Sequence, residues 1–135
     1  MKISHLEHIG IAVKNLDESI KFYENTLGLK CYGIEEVNDQ KVKTAFFKLG
    51  DTKIELLETT EPDGPIGKFI EKKGEGIHHI ALAVDNVENS IMEAESKGIQ
   101  LIDNKPRPGA EGFEIAFLHP KSTGGILIEF CREKQ

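Results

Sequence analysis

Apolar and polar residues alternate from Leu6 through Val13 (LEHIGIAV), and a second run of the same texture extends from Gly76 to Val84 (GIHHIALAV). Both have the length and composition of buried strands. After each run the apolar positions recur at intervals of three and four, the period of an amphipathic helix. The first helix is predicted over 16–28, opened by Asn15 and ended by Gly28, and the second over 87–97, ended by Gly98. Strands are predicted at 4–13, 29–37, 42–49, 52–58, 77–84, 99–103, 112–119 and 125–131, with a short connecting helix at 65–74.

The order strand, helix, three strands therefore occurs twice, and residue identities repeat with it. An offset of 71 pairs His8 with His79, Ile9 with Ile80, Ala12 with Ala83, Val13 with Val84, Asn15 with Asn86 and Ser19 with Ser90. In the closing strands the offset becomes 74 and pairs Ile54-Glu55 with Ile128-Glu129. The fold class that follows is α+β, a single domain of two tandem βαβββ modules, about 1–62 and about 75–135, joined by a linker helix at about 65–74.

Successive strand residues point to opposite faces. Ile9, Ile11 and Val13 form one bulky set, and Ile80, Leu82 and Val84 the other; both must meet the helices. His8, Gly10 and Ala12, like His79, Ala81 and Ala83, then share faces lined mostly by small residues, which leave room for something besides side chains. By the same alternation Glu55 lies opposite Ile54 and Leu56, and Glu129 opposite Ile128 and Phe130. Two imidazoles and two carboxylates from matched strands make a divalent metal site whose nitrogen and oxygen donors suit Co, Zn, Mn, Ni or Fe, with two coordination positions open to water or substrate. The plainer alternative is solvated histidines at strand starts and glutamates lining a polar sheet face. His78 has Glu7 as its counterpart, points with Ile80 and Leu82, and reads as a residue packed beneath the sheet; His5 reads as surface. Phe22, Tyr23 and Leu27 follow helical spacing and read as core or interface.

Charge changes the picture by exclusion. The net charge of −6 opposes sequence-independent binding to nucleic acid, which relies on clustered cations. No run approaches the ~20 apolar residues that span a bilayer, and the start MKISHLEH lacks the apolar core of a signal peptide, so a cytoplasmic protein is expected. There Cys31 and Cys131 are expected as free thiols, Cys131 as a small apolar filler. In the stretch HPKSTGG, Lys121, Ser122 and the following amides fit a carboxylate or phosphate, and His119 adjoins them; the alternative is an ordinary turn. Lys105 and Arg107 are candidates for the phosphates of a larger ligand, against plain solvation.

The segments LEHIGIAVKNLDESIKFYENTLGL, TKIELLE, GIHHIALAVDNVENSI and AFLHPKSTGGILIEF together resemble the vicinal oxygen chelate superfamily over nearly the whole chain. HPKSTGG before ILIEF, with KPRPGA upstream, is more similar to its methylmalonyl-CoA epimerase branch. The resemblance implies a curved mixed sheet around a metal-binding cleft, with His8, Glu55, His79 and Glu129 as ligands of a divalent ion (Co, Zn, Mn or Ni). It implies an acyl-CoA substrate, a homodimer, and inversion at the carbon between a carboxylate and a thioester, with Glu129 and Glu55 as proton-transfer groups and Lys121, Ser122 and His119 near the substrate. The chain also departs from the pattern: Thr44 stands where one epimerase branch has an acid, and Gln40-Lys41-Val42-Lys43 replaces a usual QGVK. A glyoxalase I-like lyase acting on a glutathione hemithioacetal and a metal-free binding module of the same superfamily are the competing readings.

Overall fold

The computed structural model describes residues 1–134, which form two compact units, one of residues 8–78 and one of residues 1–7 with 79 onward. The elements are β1 (Ile3–Ala12), α1 (Leu16–Lys21), β2 (Cys31–Val37), β3 (Val42–Leu49), β4 (Thr52–Thr59), α2 (Pro65–Lys73), β5 (Gly76–Val84), α3 (Val87–Ser96), β6 (Arg107–Pro108), β7 (Phe113–Phe117) and β8 (Ile128–Glu133).

In the unit of residues 8–78, β1 pairs in parallel with β4, β4 antiparallel with β3, and β3 antiparallel with β2. The Asn15 side chain accepts from the Glu18 N–H at 3.0 Å, satisfying one of the unpaired amides at the start of α1. Gly28 ends the segment at φ +72°, a conformation open to a residue without Cβ. Between the two, the regular helix predicted over 16–28 gives way after Lys21 to a wider π turn over Phe22–Thr26, in which the Leu27 N–H donates to the Phe22 carbonyl. Tyr23 then packs against Phe47 at 5.3 Å, while Phe22 and Leu27 each remain 51% exposed. Only one of those three aromatic and aliphatic positions is therefore core. The helix side of the sheet is closed by Val13, Leu16, Ala45, Phe47 and Leu56, with Ile11, Ile20 and Ile54 against them. Complete burial of side chains such as Leu56 and Phe47 contributes about 2 kcal/mol each.

The second unit repeats the plan. Parallel β5–β8, antiparallel β8–β7 and antiparallel β7–β6 form its sheet. Asn86 caps α3 by accepting from the Asn89 N–H at 2.8 Å, and Val84, Val87, Ile91, Ala94, Ala116, Leu118 and Phe130 form the core beneath it. Lys2 and Asp85 join the chain start to this unit, the Asp85 N–H donating to the Lys2 carbonyl at 3.2 Å. The strand predicted over 99–103 is reduced to one bridge, Leu101 with Leu118, and the outer strand is instead Arg107–Pro108. Pro106 and Pro108 carry no N–H, so this edge cannot sustain a longer ladder. Among the described residues no helix is long and apolar enough to cross a membrane.

Candidate functional site

Register explains how each unit brings an imidazole to a carboxylate. In the parallel β1–β4 pairing Gly10 lies beside Glu55, so His8, two residues earlier on the same face, sits diagonally from that glutamate. In β5–β8 Ala81 lies beside Glu129, with His79 again two residues earlier. His8 Nδ1 is 3.2 Å from Glu55 Oε2, and His79 Nε2 is 3.4 Å from Glu129 Oε1. On the other side of each glutamate the antiparallel neighbour is a phenylalanine, Phe46 for Glu55 and Phe117 for Glu129. Each carboxylate is thus flanked by a residue too small to crowd it and by a ring that keeps water away. His8, Glu55 and His79 are 6% exposed and Glu129 3%.

Burying an imidazole and a carboxylate this deeply costs several kcal/mol unless compensating charge is supplied. Both pairs are made of groups that ligate metal ions, and their nitrogen and oxygen donors fit a divalent cation. The small-residue faces are less empty than their composition predicts. In the second unit Ala81 and Ala83 pack with Ile115, Phe117 and Cys131, because residues of the neighbouring strands lean over them. The His79 ring meets Phe117 edge-on at 5.5 Å, which orients the imidazole. Cys131 is fully buried, its Sγ 3.6 Å from the Leu82 carbonyl, as a small filler of this layer.

Thr44 is 1% exposed and lies opposite Leu57 on one side and Glu35 on the other. Lys41, where the related pattern has glycine, adopts the left-handed region at φ 51°. Its ammonium is 2.9 Å from Asp63 and 3.5 Å from Glu61; these carboxylates, Asp63 foremost, raise its pKa. The loop thus keeps the glycine-like backbone, with a lysine tied down across it.

The HPKSTGG stretch is a tight turn that uses its own donors. The Lys121 N–H donates to His119 Nδ1 at 3.1 Å, and the Ser122, Thr123 and Gly125 amides donate to the His119 and Pro120 carbonyls. Ser122 Oγ accepts from the Gln100 N–H at 2.9 Å. His119 and Ser122 therefore shape the turn, and Lys121 is exposed upon it. Two further residues escaped the sequence reading. Glu7 is a buried carboxylate next to His8, detectable in principle as a charge inside an apolar strand. Asp103 accepts from the Phe117 N–H through Oδ2 at 2.8 Å and lies 3.1 Å from Arg107 Nε through Oδ1; no local spacing signals that bond.

His78 stands apart from the pairs. It is half-buried, with the Phe69 ring of α2 edge-on at 5.1 Å. Burial first, and the charge of Lys73 second, lower its pKa from 6.5 to about 4. An unfolded chain takes up this proton as pH drops below 6.5 while the folded chain resists until about 4, so stability decreases across that window and levels off below it. With screening allowed for, the loss is about 2 kcal/mol. Urea unfolding of chelator-treated protein at pH 7 and pH 4.5 is expected to show this loss, and His78→Phe to remove most of it relative to the parent. Equal pH slopes in the two proteins would count against the assignment.

Compared with known proteins, the family model described as Glyoxalase/Bleomycin resistance protein/Dioxygenase superfamily matches residues 7–117, and the chain belongs to that superfamily, with its vicinal oxygen chelate fold. Among its relatives, the uncharacterized protein YqjC of Bacillus subtilis is 44% identical, over 98% of this chain and 94% of its own. The mitochondrial methylmalonyl-CoA epimerase of Homo sapiens is 38% identical, over 94% of this chain and 73% of its own. A solved structure of a Streptomyces coelicolor methylmalonyl-CoA epimerase variant in complex with 2-nitronate-propionyl-CoA superposes with a TM-score of 0.95 at 35% identity, over 98% of this chain and 96% of that one.

Proposed function

We propose that this chain is a metal-dependent epimerase that interconverts (R)- and (S)-methylmalonyl-CoA. The observation that carries the reading is the buried histidine–glutamate pair repeated in each unit at the same register, His8 with Glu55 and His79 with Glu129. The identity to methylmalonyl-CoA epimerases along most of the chain supports the substrate. His8, Glu55, His79 and Glu129 would hold the cation, whether Co, Zn, Mn or Ni. When bound, it supplies electrostatic stabilisation of the negative charge that develops on the thioester oxygen.

The chain's own residues handle the proton. A carboxylate oxygen of Glu129 takes the hydrogen from the α-carbon, and the C–H electron pair is left on the thioester enolate. Glu55 delivers a proton to the opposite face when its carboxylate has left the cation and carries that proton, and the reverse reaction exchanges the two roles. Phe46 and Phe117 beside these carboxylates exclude water that would compete for the proton. The exposed ammonium of Lys121, on the turn shaped by His119 and Ser122, meets the anionic part of the coenzyme A. The reading extends to a cytoplasmic homodimer, for which exposed Phe22, Leu27 and Met92 offer apolar surface.

Incubation of one methylmalonyl-CoA epimer in D₂O with cobalt-loaded protein is expected to place deuterium at the α-carbon and to form the other epimer. A folded, cobalt-loaded sample that yields neither product would reject the reading; turnover of methylglyoxal with glutathione instead would reassign it to a lyase.

A further inference from the structure

The two units share the same pairing plan, and in the row next to the Phe–Glu row one position differs in charge. Beside the Phe46–Glu55 row lies the row Glu35, Thr44, Leu57; beside the Phe117–Glu129 row lies the row Arg107, Ile115, Cys131. Glu35 and Arg107 thus occupy corresponding positions, two strands out and one row along from a glutamate of the site. One half carries an acid where the other carries a base. A duplicated site acting on a substrate with two unlike ends needs its halves to differ somewhere near the chemistry, and this is a charge reversal beside it.

Arg107 is held in a manner unlike a solvated loop cation. Cross-strand pairing places it on the face shared by Ile115, Phe117 and Glu129. Its guanidinium carbon is 5.6 Å from the Phe117 ring centre, so the side chain leans toward the Glu129 row, and the same ring contacts His79. A carboxylate oxygen of Asp103 lies 3.1 Å from its Nε, an ion pair without the alignment of a hydrogen bond, and Asp103 is itself anchored to the Phe117 N–H of β7. Arginine recognises a carboxylate through the fork of its terminal amino groups, and the Asp103 charge beside Nε helps keep the side chain at the Phe117 ring. The Arg107 side chain is 32% exposed, leaving a path for a ligand group while weakening solvent screening.

We propose that Arg107 recognises the free carboxylate of the acyl group and makes the site select dicarboxylic over neutral acyl thioesters, with Asp103 and Phe117 as positioning residues. The inference rests on the acyl-CoA reading above and names the residue that sets its substrate class.

The test is binding of malonyl-CoA and of butyryl-CoA, which share the coenzyme and differ in the carboxylate, to cobalt-loaded parent, Arg107→Gln, Arg107→Lys and Asp103→Asn proteins by calorimetry. The parent is expected to prefer malonyl-CoA. Arg107→Gln should weaken malonyl-CoA roughly ten- to hundredfold and leave butyryl-CoA within about twofold. Arg107→Lys, which keeps charge and bulk if the glutamine variant misfolds, should fall between, as should Asp103→Asn. An unchanged preference in the folded arginine variants overturns the inference while the epimerase reading stands. Equal weakening of both ligands also overturns it, and assigns Arg107 to the coenzyme phosphates. A parent protein that binds neither ligand removes the acyl-CoA reading itself.

Discussion

Glu129→Gln is expected to lower kcat for epimerisation by about three orders of magnitude while leaving the fold intact. The amide has the volume of the carboxylate and fits the same slot between Ala81 and Phe117, so packing is conserved. It cannot accept the α-proton, and it is a weaker partner for a cation. Because glutamine keeps the volume and an oxygen facing His79, the metal-free variant should melt close to the temperature of the metal-free parent. Stereospecific NMR of the α-carbon, with a melting curve alongside, checks both halves. A variant that keeps more than a tenth of the parent kcat would remove Glu129 from the chemistry.

The second large effect concerns the cation. His79→Ala is expected to lower cobalt affinity more than a hundredfold, since deleting a direct donor costs more than the 10–100-fold typical of the groups that orient one. His8→Ala should match it, because the two imidazoles hold equivalent places in register. A ligand that binds only the folded chain stabilises it by about 2.7 kcal/mol at a hundred times its Kd. Added cobalt should therefore raise the melting temperature of the parent clearly and of either variant little. This shift does not depend on turnover, so it separates loss of metal from loss of a proton-transfer group. An undiminished cobalt shift in both alanine variants would leave the proposed ligand set without support.

Much of this was legible because it is periodic. Strand alternation fixes which residues share a face, and the two caps, Asn15 and Asn86, mark helix starts through a bond within three residues. The same alternation identified Ile54, Leu56 and Phe130 as core and Glu55 and Glu129 as their opposites. Local pattern failed where distant partners intervene. The helix expected over 16–28 breaks into a π turn at Phe22–Thr26, where Tyr23 packs on Phe47 while Phe22 and Leu27 stay at the surface. The apparent strand at 99–103 turns away from the sheet as the Ile102 and Asp103 amides both donate to the Phe117 carbonyl. Likewise the glycine-like turn at Lys41 survives without glycine, its ammonium held by Asp63 twenty-two positions on.

By itself the sequence determined the duplicated plan of each half and the four buried side chains His8, Glu55, His79 and Glu129, since a repeat and a period of two are properties of order along the chain. Tertiary structure alone decided how closely each histidine meets its glutamate, that phenylalanines flank both carboxylates, and that Arg107 lies against Asp103 and the Phe117 ring. Those outcomes depend on strand register and on bonds between residues far apart in the chain, whose free energies exist only once the strands have paired.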